Sequence, residues 1–490
     1  MSKAIVIGSG FGGLAAAIRL RMMGYHVTVL EALDQPGGRA RVFKRDGFTF
    51  DAGPTVITAP YLIEELFELA GRKLSDYVKL VPVDPFYRVL FDDGSRFDYV
   101  GDEERLLANI AAINPRDVAG YRRLAAHAER IFDVGYMQLA DRPFDRMSDM
   151  LRVLPAMMRL ESYRTVYGLV SRYIEDERLR RAFTFEPLLV GGNPFTTTSI
   201  YLLIHWLERK WGVHFAMGGT TSIVAALVQL LHELDVDVRL DTPVAEIEVA
   251  NGRIAGVRTQ NGERIACDIV VSNADPTQTY SRLVAPRHLR RNNPRARRRV
   301  SQSMSLFVAY FGTRRTYPEL AHHTILLGDR YRGLLDDIFK RKVLAPDFSL
   351  YLHAPTRTDP SLAPDGHESF YVLSPVPNNR SGVNWEHEAA PYFERIVEEL
   401  EARILPRLSA NIVSTSFLTP HDFEHTLRSA DGAAFGPEPI LRQSAWFRYH
   451  NRCPDVNGLY FVGAGTHPGG GVPGVLSSAK VLERIVPRVA

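Results

Sequence analysis

Short apolar runs lie near both ends of the chain, and each run leads directly into glycines. The runs are Ala4–Ile7 and Leu459–Val462, and their uninterrupted apolar character predicts strands that are buried on both faces. Apolar positions at helical spacing predict a helix over 12–23 and, near the other end, one from about Val475 to Ile485. Val27–Leu30 predicts a second strand after the first helix. Each end therefore predicts a strand, a glycine-rich turn and a helix.

The first part of the middle region changes from strands to helices. Apolar spacing predicts a helix over 60–71, and alternation around Asp92-Asp93-Gly94 predicts a hairpin over 86–100. Residues 104–185 have a mostly helical pattern. Breaks in that pattern are expected at three prolines, Pro115, Pro143 and Pro155.

The later part of the middle region is richer in strands. The glycine pair at 218–219 opens a predicted helix, and turns are expected at Asn251-Gly252 and Asn261-Gly262. Strands are predicted at Val236–Leu240, Val244–Val249, Ile269–Ser272, Ser305–Phe311, Ser349–His353 and Ser369–Leu373. An amphipathic helix is predicted over 391–404. Strands in this order suit a mixed sheet beyond the N-terminal unit.

The N-terminal glycines have the spacing of a dinucleotide-binding turn. Gly8, Gly10 and Gly13 fit G-x-G-x-x-G between a predicted strand and helix, and Glu31 closes the second strand. Such glycines permit a tight turn, close approach of backbone N–H groups to a pyrophosphate, and close packing of helix on strand. The carboxylate of Glu31 would accept hydrogen bonds from ribose hydroxyls. This end therefore predicts a site for the phosphates of a dinucleotide.

The C-terminal glycines predict a second contact with the same ligand. Residues 463–474 contain repeated glycines, including Gly463, Gly465 and Gly474, and Val475 follows at the start of the helix. Because glycines have no side chains, the backbone of this stretch can approach a flat ring closely. The N-terminus of a helix aimed at that ring would stabilise negative charge that develops on it.

Composition limits the alternatives. The 490 residues are enough for two or three substructures, and 45% apolar with 23% charged residues is typical of a soluble globular protein. We expect no membrane-spanning helix, because no apolar run reaches about 18 residues. We expect no signal peptide, because the first apolar stretch reads as a strand followed by glycines and not as a charged region followed by an apolar one. Two cysteines, Cys267 and Cys453, indicate a reducing compartment rather than a disulfide framework. A net charge of +3 does not indicate nucleic acid binding.

Two further stretches resemble the amine-oxidase-like flavoproteins. They are Pro36-Gly37-Gly38-Arg39-Ala40 and Phe48–Thr55, and the strand at Val244 and the Ser272-Asn273-Ala274-Asp275 turn fit the same group. The resemblance implies FAD, with Arg39 on phosphate or nearby backbone and the strand at Val244 against adenine. The cofactor-binding residues it implies, together with the two glycine motifs, are Gly8, Gly10, Gly13, Glu31, Gly38, Arg39, Pro54, Thr55, Val244, Asn273, Gly463, Gly465, Gly474 and Val475.

Within that group, the chain resembles most specifically the bacterial-type phytoene desaturases. The matching stretches are Gly47–Thr58, Leu189–Phe195, Phe348–Pro355, Gln443–Arg448 and Gly463–Ala479. The resemblance implies an FAD-dependent enzyme that adds double bonds to 15-cis-phytoene, through phytofluene, zeta-carotene and neurosporene, towards all-trans-lycopene. It implies hydride transfer to the flavin with proton loss, and reoxidation by oxygen or a membrane quinone. The number of steps is not assigned to any residue.

The resemblance also implies the fold class and the domains. We expect an α/β protein with a discontinuous Rossmann-like FAD-binding domain, a mixed-sheet substrate domain and a helical subdomain that faces the membrane. The FAD-binding domain is placed at 1–58, 212–290 and 436–490, the substrate domain at 59–115 and 291–435, and the helical subdomain at 116–211.

Candidates for a catalytic base are few. Asp149 and Arg152 lie at i and i+3 in the helical segment, so Asp149 could take a proton if their face lined a tunnel. A surface ion pair is the favoured interpretation of this spacing. His421 and His425 fit a solvated helix better than a metal site, His322-His323 fit a strand or loop, and His467 lies in the flavin loop. We therefore predict no metal.

A membrane surface is the expected partner besides the substrate. Residues 150–181 interleave methionine and leucine with arginine, and Arg287–Arg299 adds a second basic cluster. This pattern suits peripheral contact with anionic lipid at the cytoplasmic side of a membrane, although a solvated basic face fits equally well.

Other functions on this architecture remain open. They are an amine oxidase, protoporphyrinogen oxidase, a carotene cis–trans isomerase, a C30 diapophytoene desaturase and a GDI-like prenyl-binding protein without redox chemistry. Intact glycine motifs and Glu31 argue against the last of these.

Overall fold

A parallel sheet joins segments from the beginning, the middle and the end of the chain. The computed structural model describes residues 2–489. The strand order in this sheet is β19-β13-β1-β2-β9, and every neighbouring pair is parallel. The strands of the whole molecule are β1 (Lys3–Ile7), β2 (His26–Leu30), β3 (Val42–Arg45), β4 (Phe48–Asp51), β5 (Leu80–Pro82), β6 (Tyr87–Leu90), β7 (Arg96–Tyr99), β8 (His214–Ala216), β9 (Asp237–Arg239), β10 (Val244–Ala250), β11 (Arg253–Thr259), β12 (Arg264–Ala266), β13 (Ile269–Ser272), β14 (Ser305–Thr313), β15 (His323–Leu326), β16 (Leu350–His353), β17 (Glu368–Val376), β18 (Ile412–Leu418) and β19 (Leu459–Phe461).

Helices cover the parallel sheet and fill the segment between the sheets. The first helix, α1 (Phe11–Met22), packs against the last helix, α15 (Val472–Ile485), and both contribute to one apolar core with the sheet. The helices are α1 (Phe11–Met22), α2 (Tyr61–Leu69), α3 (Glu103–Ile113), α4 (Asp117–Phe132), α5 (Met147–Arg159), α6 (Val166–Val170), α7 (Glu177–Ala182), α8 (Leu203–Trp211), α9 (Thr220–Glu233), α10 (Pro276–Gln278), α11 (Pro294–Arg298), α12 (Tyr331–Asp336), α13 (Trp385–Arg403), α14 (Pro420–His425) and α15 (Val472–Ile485).

A mixed sheet forms the second layer of the molecule. Its order is β18-β14-β17-β16-β15-β6-β7, with β15 parallel to β6 and the other pairs antiparallel. The helix α13 covers one face and completes an apolar core there, and the other face turns towards the helical segment. The strands of this sheet all come from 59–115 and 291–435, whereas those of the parallel sheet come from 1–58, 212–290 and 436–490.

Most predicted elements are present. The helix predicted over 391–404 begins earlier, at Trp385, and two further predictions differ. Pro155 lies inside α5, so the prediction that it breaks the helix is wrong. A proline there removes a backbone hydrogen bond, and the helix continues around it because helical bonds on either side remain. The last helix begins at Val472 rather than Val475, since Pro473 fits the first turn, where an N–H group has no helical partner.

Candidate functional site

The turn between β1 and α1 forms a site for an anion. Gly8 has a φ of 92°, which favours glycine. A Cβ atom on Gly13 would lie 1.9 Å from the carbonyl oxygen of Gly8, so only glycine lets α1 pack this closely on the strand. The backbone N–H groups at the start of α1 face a cavity that Gly8, Gly10 and Gly12 line. This arrangement suits a pyrophosphate.

Glu31 ties the end of β2 to this turn. Its carboxylate accepts hydrogen bonds from the backbone N–H of Ser9 (2.7 Å), the hydroxyl of Ser9 (2.6 Å) and the N–H of Leu33 (3.0 Å). The side chain is buried and lines the same cavity. It therefore stands, already oriented, where a ribose would extend from the pyrophosphate.

Asn273 lies where the two glycine-rich ends meet. A Cβ atom on Gly12 would lie 2.5 Å from its Oδ1 atom, and one on Gly463 would lie 2.7 Å from the same atom. Its backbone N–H donates to the carbonyl of Ile7, which anchors the turn after β13 to β1. Val244 reaches the cavity from the neighbouring β10.

The turn at Gly37-Gly38 holds Arg39 so that one of its buried N–H groups has no hydrogen-bond partner among the described residues. Gly37 and Gly38 have φ values of 106° and 55°, and the turn places the Arg39 guanidinium beside Ser429 and Asp275. Burial lowers the pKa of Arg39, and the nearby carboxylate of Asp275 opposes that change. Within residues 2–489, Nε of Arg39 is buried without a hydrogen-bond partner. A bound anion or carbonyl at the cavity would satisfy it.

The C-terminal loop is held by Arg448. The buried guanidinium donates from Nε to the carbonyl of Thr466 (2.9 Å) and from Nη2 to the carbonyl of Ala464 (2.6 Å). At the other side of the loop, the N–H of Gly463 donates to Ser478 Oγ at 2.8 Å. Residues of the loop between these anchors line the cavity, as do Gly474 and Val475 in the first turn of α15.

Gly13 and Gly465 have packing roles instead of a cavity contact. A Cβ atom on Gly465 would lie 2.2 Å from Cδ of Pro276. Among the described residues, neither of these glycines lines the cavity. The other residues predicted to bind the cofactor do line it: Gly8, Gly10, Glu31, Gly38, Arg39, Pro54, Thr55, Val244, Asn273, Gly463, Gly474 and Val475.

One cavity of about 1250 Å³ joins these loops to an apolar tunnel. Pockets for small ligands usually measure roughly 300–1,000 Å³, so this one has room for more than one ligand. Beyond the glycine loops its walls are mainly apolar, from Leu188, Val190, Leu203, Leu207, Met304, Leu306, Val308, Ile325 and Leu373. Such walls select an apolar chain by shape and hydrophobic contact.

The expected pair Asp149 and Arg152 lies outside this cavity. Asp149 accepts a hydrogen bond from the N–H of Arg146 and so caps α5, and its carboxylate is 3.8 Å from the Arg152 guanidinium. The Arg152 side chain is 81% exposed. Neither residue is among those of 2–489 that line the cavity, because the opposite face of α5 does so. This placement agrees with a surface ion pair and gives no support to Asp149 as a base.

Glu208 is a cavity carboxyl that the sequence pattern did not reveal. It lies on α8 and is 1% exposed, and its Oε1 accepts a hydrogen bond from the Tyr87 hydroxyl at 2.7 Å. Across the described part of the chain, its Oε2 is buried without a partner. Burial first, and the charge of nearby Glu186 second, raise the pKa of Glu208 well above its usual range. On an amphipathic helix nothing in the sequence separates it from a surface glutamate.

A chain of hydroxyl groups lies in the cavity wall. Thr55 Oγ1 is 2.7 Å from the Tyr371 hydroxyl and 3.0 Å from the Tyr351 hydroxyl, and all three residues line the cavity. These two hydrogen bonds fix the orientation of Thr55, which follows Pro54 in the part of the site that is predicted to hold the flat ring.

The histidines divide into distinct groups. His467 is buried, its Nε2 lies 3.1 Å from the carbonyl of Leu139, and burial lowers its pKa to about 4. His421 and His425 stack at 4.0 Å on α14. By contrast, His322, His323 and His353 gather in the core, and one ring nitrogen from each lies within 4.8 Å of the other two. The sequence-based prediction of no metal did not include this cluster. Pairing of β15 with β16 brings them together, which linear spacing does not reveal.

The tunnel ends at an exposed apolar surface. All 13 residues of α5 stay at least partly exposed, although Met150, Leu154 and Met158 also line the cavity. The apolar residues that are more than about a third exposed here are Met147 (45%), Leu151 (60%), Leu154 (43%), Met158 (54%), Tyr163 (53%), Leu441 (48%) and Phe447 (48%). Within the described chain, no helix has the length and apolar character needed to cross a bilayer.

Comparison with known proteins places this site in a family. The family model described as flavin-containing amine oxidoreductase matches residues 11–481. A phytoene desaturase (lycopene-forming) from Pseudescherichia vulneris is 51% identical over 487 residues, covering 99% of both chains. A phytoene desaturase (neurosporene-forming) from Rhodobacter capsulatus is 42% identical over 493 residues, covering 99% of this chain and 94% of that protein. A solved oxidoreductase from Methanosarcina mazei matches 98% of this chain and 100% of its own with a TM-score of 0.66 at 17% identity, which shows the shared fold.

Proposed function

The chain belongs to the flavin-containing amine oxidoreductase family, and within it we propose that the protein is a lycopene-forming phytoene desaturase. It is an FAD-dependent oxidoreductase that acts on CH–CH bonds. The observation that carries the proposal is the single cavity, which joins the dinucleotide loops to an apolar tunnel. A linear hydrocarbon has no polar group to bind, so shape and burial must position it.

The residues at the glycine-rich ends fit FAD. The bare backbone of Gly8–Gly12 and the N-terminus of α1 suit the pyrophosphate, Glu31 suits a ribose, and the unpartnered Nε of Arg39 suits an acceptor on the cofactor. The loop at 463–474 and Thr55 would hold the ring. When bound, FAD supplies the oxidant that takes a hydride from an allylic carbon.

We assign proton removal to Glu208. Loss of a hydride and a proton from neighbouring carbons leaves a double bond, so the tunnel needs a proton acceptor. Glu208 presents an unpartnered carboxylate oxygen there, while Tyr87 fixes the other oxygen. Its raised pKa makes the ionised carboxylate a stronger base than an exposed glutamate.

The exposed apolar surface around α5 is the proposed route of substrate entry. Phytoene resides in the bilayer, and Leu154 and Met158 are both exposed and part of the tunnel wall. Arg146, Arg152 and Arg159 flank this surface and suit anionic headgroups. The protein would therefore work as a peripheral protein on the cytoplasmic side of the membrane, with oxygen or a membrane quinone as the electron acceptor.

The relatives do not favour the other functions considered. A carotene cis–trans isomerase would leave the number of hydrogens unchanged, and a C30 diapophytoene desaturase would prefer the shorter substrate. The GDI-like alternative would lack the cofactor that this chain's loops fit.

Mass analysis of the products separates these possibilities. FAD-loaded protein is incubated with liposomes that contain 15-cis-phytoene, and the carotenoids are resolved by chromatography. Successive losses of two hydrogens ending at lycopene support the proposal, whereas a product of unchanged mass would show an isomerase. Parallel liposomes with diapophytoene test the chain-length preference.

A further inference from the structure

Three histidines form a closed cluster behind the cavity wall. His323 and His353 face each other across the β15–β16 ladder, and His322 immediately precedes β15. Their rings are in contact, with centroid separations of 4.5 Å (His322–His323), 4.8 Å (His322–His353) and 5.3 Å (His323–His353). The exposed fractions are 5% for His322 and 0% for the other two. These imidazoles are therefore almost completely shielded from bulk water.

The nitrogens of this cluster are short of partners. Nε2 of His322, Nε2 of His323 and both ring nitrogens of His353 are buried with no hydrogen-bond partner among residues 2–489. Buried polar atoms in native proteins are nearly always satisfied by protein, water or an ion. Several orphan nitrogens from three neighbouring residues thus indicate a ligand between them rather than an isolated defect.

The outer nitrogens are already engaged, as in metal sites. His322 Nδ1 lies 2.6 Å from Thr358 Oγ1, and His323 Nδ1 lies 2.7 Å from the Tyr351 hydroxyl. Metal-binding histidines usually use one nitrogen for such an outer contact, which orients the ring and leaves the other nitrogen for the ion. In both residues the nitrogen that is left is Nε2.

The surroundings of the cluster are aromatic. The ring centroid of Phe215 lies 4.8 Å from that of His322, and the ring centroid of Tyr371 lies 4.8 Å from that of His353. Metal ions bind imidazole in its neutral form, so a ligand set of buried histidines suits an ion.

We propose that His322, His323 and His353 bind one divalent late first-row transition-metal ion, with Zn²⁺ as the preferred ion. Three imidazole nitrogens suit Zn²⁺, and a water molecule would complete a tetrahedral shell. The ion joins β15 to β16. It also orients the His323 ring and, through it, the Tyr351 hydroxyl that contacts Thr55 in the cavity wall. The site does not depend on the identity of the substrate.

Metal analysis of tag-free, FAD-loaded protein tests the proposal. Protein expressed with added Zn²⁺ and then dialysed should contain about one Zn²⁺ per chain by mass spectrometry. His353→Gln should lose this metal, whereas the double variant His421→Gln/His425→Gln, which changes the exposed pair on α14, should keep it. A metal content in the wild type no higher than that of a histidine-poor control protein overturns the proposal, and so does equal metal in His353→Gln.

A second measurement covers the case in which His353→Gln does not fold. The wild-type chain, stripped with a chelator, is titrated with Co²⁺ and followed by visible absorption and by thermal unfolding. Saturation at one equivalent, with the intense d–d bands of tetrahedral Co²⁺ and a higher Tm, supports the site. Absence of both changes would overturn the proposal.

Discussion

A Cβ atom on Gly12 would lie 3.1 Å from the backbone nitrogen of Gly463, so the two glycine-rich ends of the chain are in direct contact. The contact follows from the parallel sheet, in which β13 lies between β1 and β19. Strands from opposite ends of the sequence thus deliver their loops to one edge, where ligands of open α/β sheets bind.

Replacement of Gly12 by alanine should markedly lower the retention of FAD. The added methyl group would also lie 2.5 Å from Asn273 Oδ1, so the two loops must separate, at a cost of about 1–3 kcal/mol for such overpacking. The ratio of flavin to protein absorbance after gel filtration measures the effect. Gly333→Ala is the matched control, because its nearest contact is the flexible Arg330 guanidinium at 3.2 Å. Full flavin content in Gly12→Ala would contradict the assignment.

Arg448→Lys should loosen the C-terminal loop and weaken FAD binding by at least about tenfold. The guanidinium donates to two loop carbonyls, and lysine lacks the planar fork that reaches both. Each hydrogen bond from a charged group contributes about 1.5–3 kcal/mol. Flavin fluorescence titration gives the Kd. The exposed Arg442→Lys variant should match the wild type, and an unchanged Kd in Arg448→Lys would show that the loop is held otherwise.

Glu208→Gln should lower kcat by roughly 10²–10⁴-fold, the usual contribution of general acid–base catalysis, while FAD stays bound. A base must be ionised and the pKa of Glu208 is raised, so the wild-type rate should increase as pH rises through that pKa. The increase should vanish in Glu208→Gln. Initial rates of product formation across pH measure both effects.

The same carboxyl has a consequence for stability that does not involve activity. Because the folded-state pKa of Glu208 exceeds its unfolded value of about 4.3, the unfolded chain loses its proton first, and stability falls as pH rises between the two values. Urea unfolding of Glu208→Gln should show a smaller fall over that interval. Identical pH profiles in the two proteins would mean that Glu208 titrates normally.

The double variant Met147→Glu/Leu151→Glu should reduce liposome binding by about tenfold or more. Both side chains are exposed at α5, and each loses apolar burial worth up to ~1.5–3 kcal/mol and gains repulsion from anionic lipid. Neither is among the described residues of the tunnel wall, so flavin content should not change. Cosedimentation with anionic vesicles is the measurement. Val343→Glu/Val413→Glu, at 46% and 44% exposure on other surfaces, should bind as the wild type does.

Much of the cofactor end could be predicted from the sequence because its signals are local. Glycines at Gly8–Gly13 and the acid at Glu31 have meaning from spacing alone, and the structure places them in the cavity or directly behind it. The resemblance to a known family supplied the remaining contacts, including Arg39 and Val244.

The buried carboxyl of Glu208 and the histidine cluster could not be predicted, because their environments arise only on folding. The sequence pattern of α8 gives Glu208 the appearance of a surface residue. Only the folded chain brings the Tyr87 hydroxyl and the charge of Glu186 close to it. His353 meets His322 and His323 only through strand pairing. In contrast, the spacing of Asp149 and Arg152 predicts that the two side chains are neighbours, and their charged groups lie 3.8 Å apart. Spacing does not show which face of α5 meets the cavity.

We propose that this chain oxidises phytoene with FAD held between its two ends. A single-turnover experiment under anaerobic conditions is the direct test of this function. FAD-loaded protein is mixed with phytoene liposomes without oxygen or quinone, and flavin absorption is recorded while the carotenoids are extracted. We predict bleaching of the flavin together with one new double bond per FAD reduced. If the flavin stays oxidised while phytoene is unchanged or only isomerised, the chain is not a phytoene desaturase.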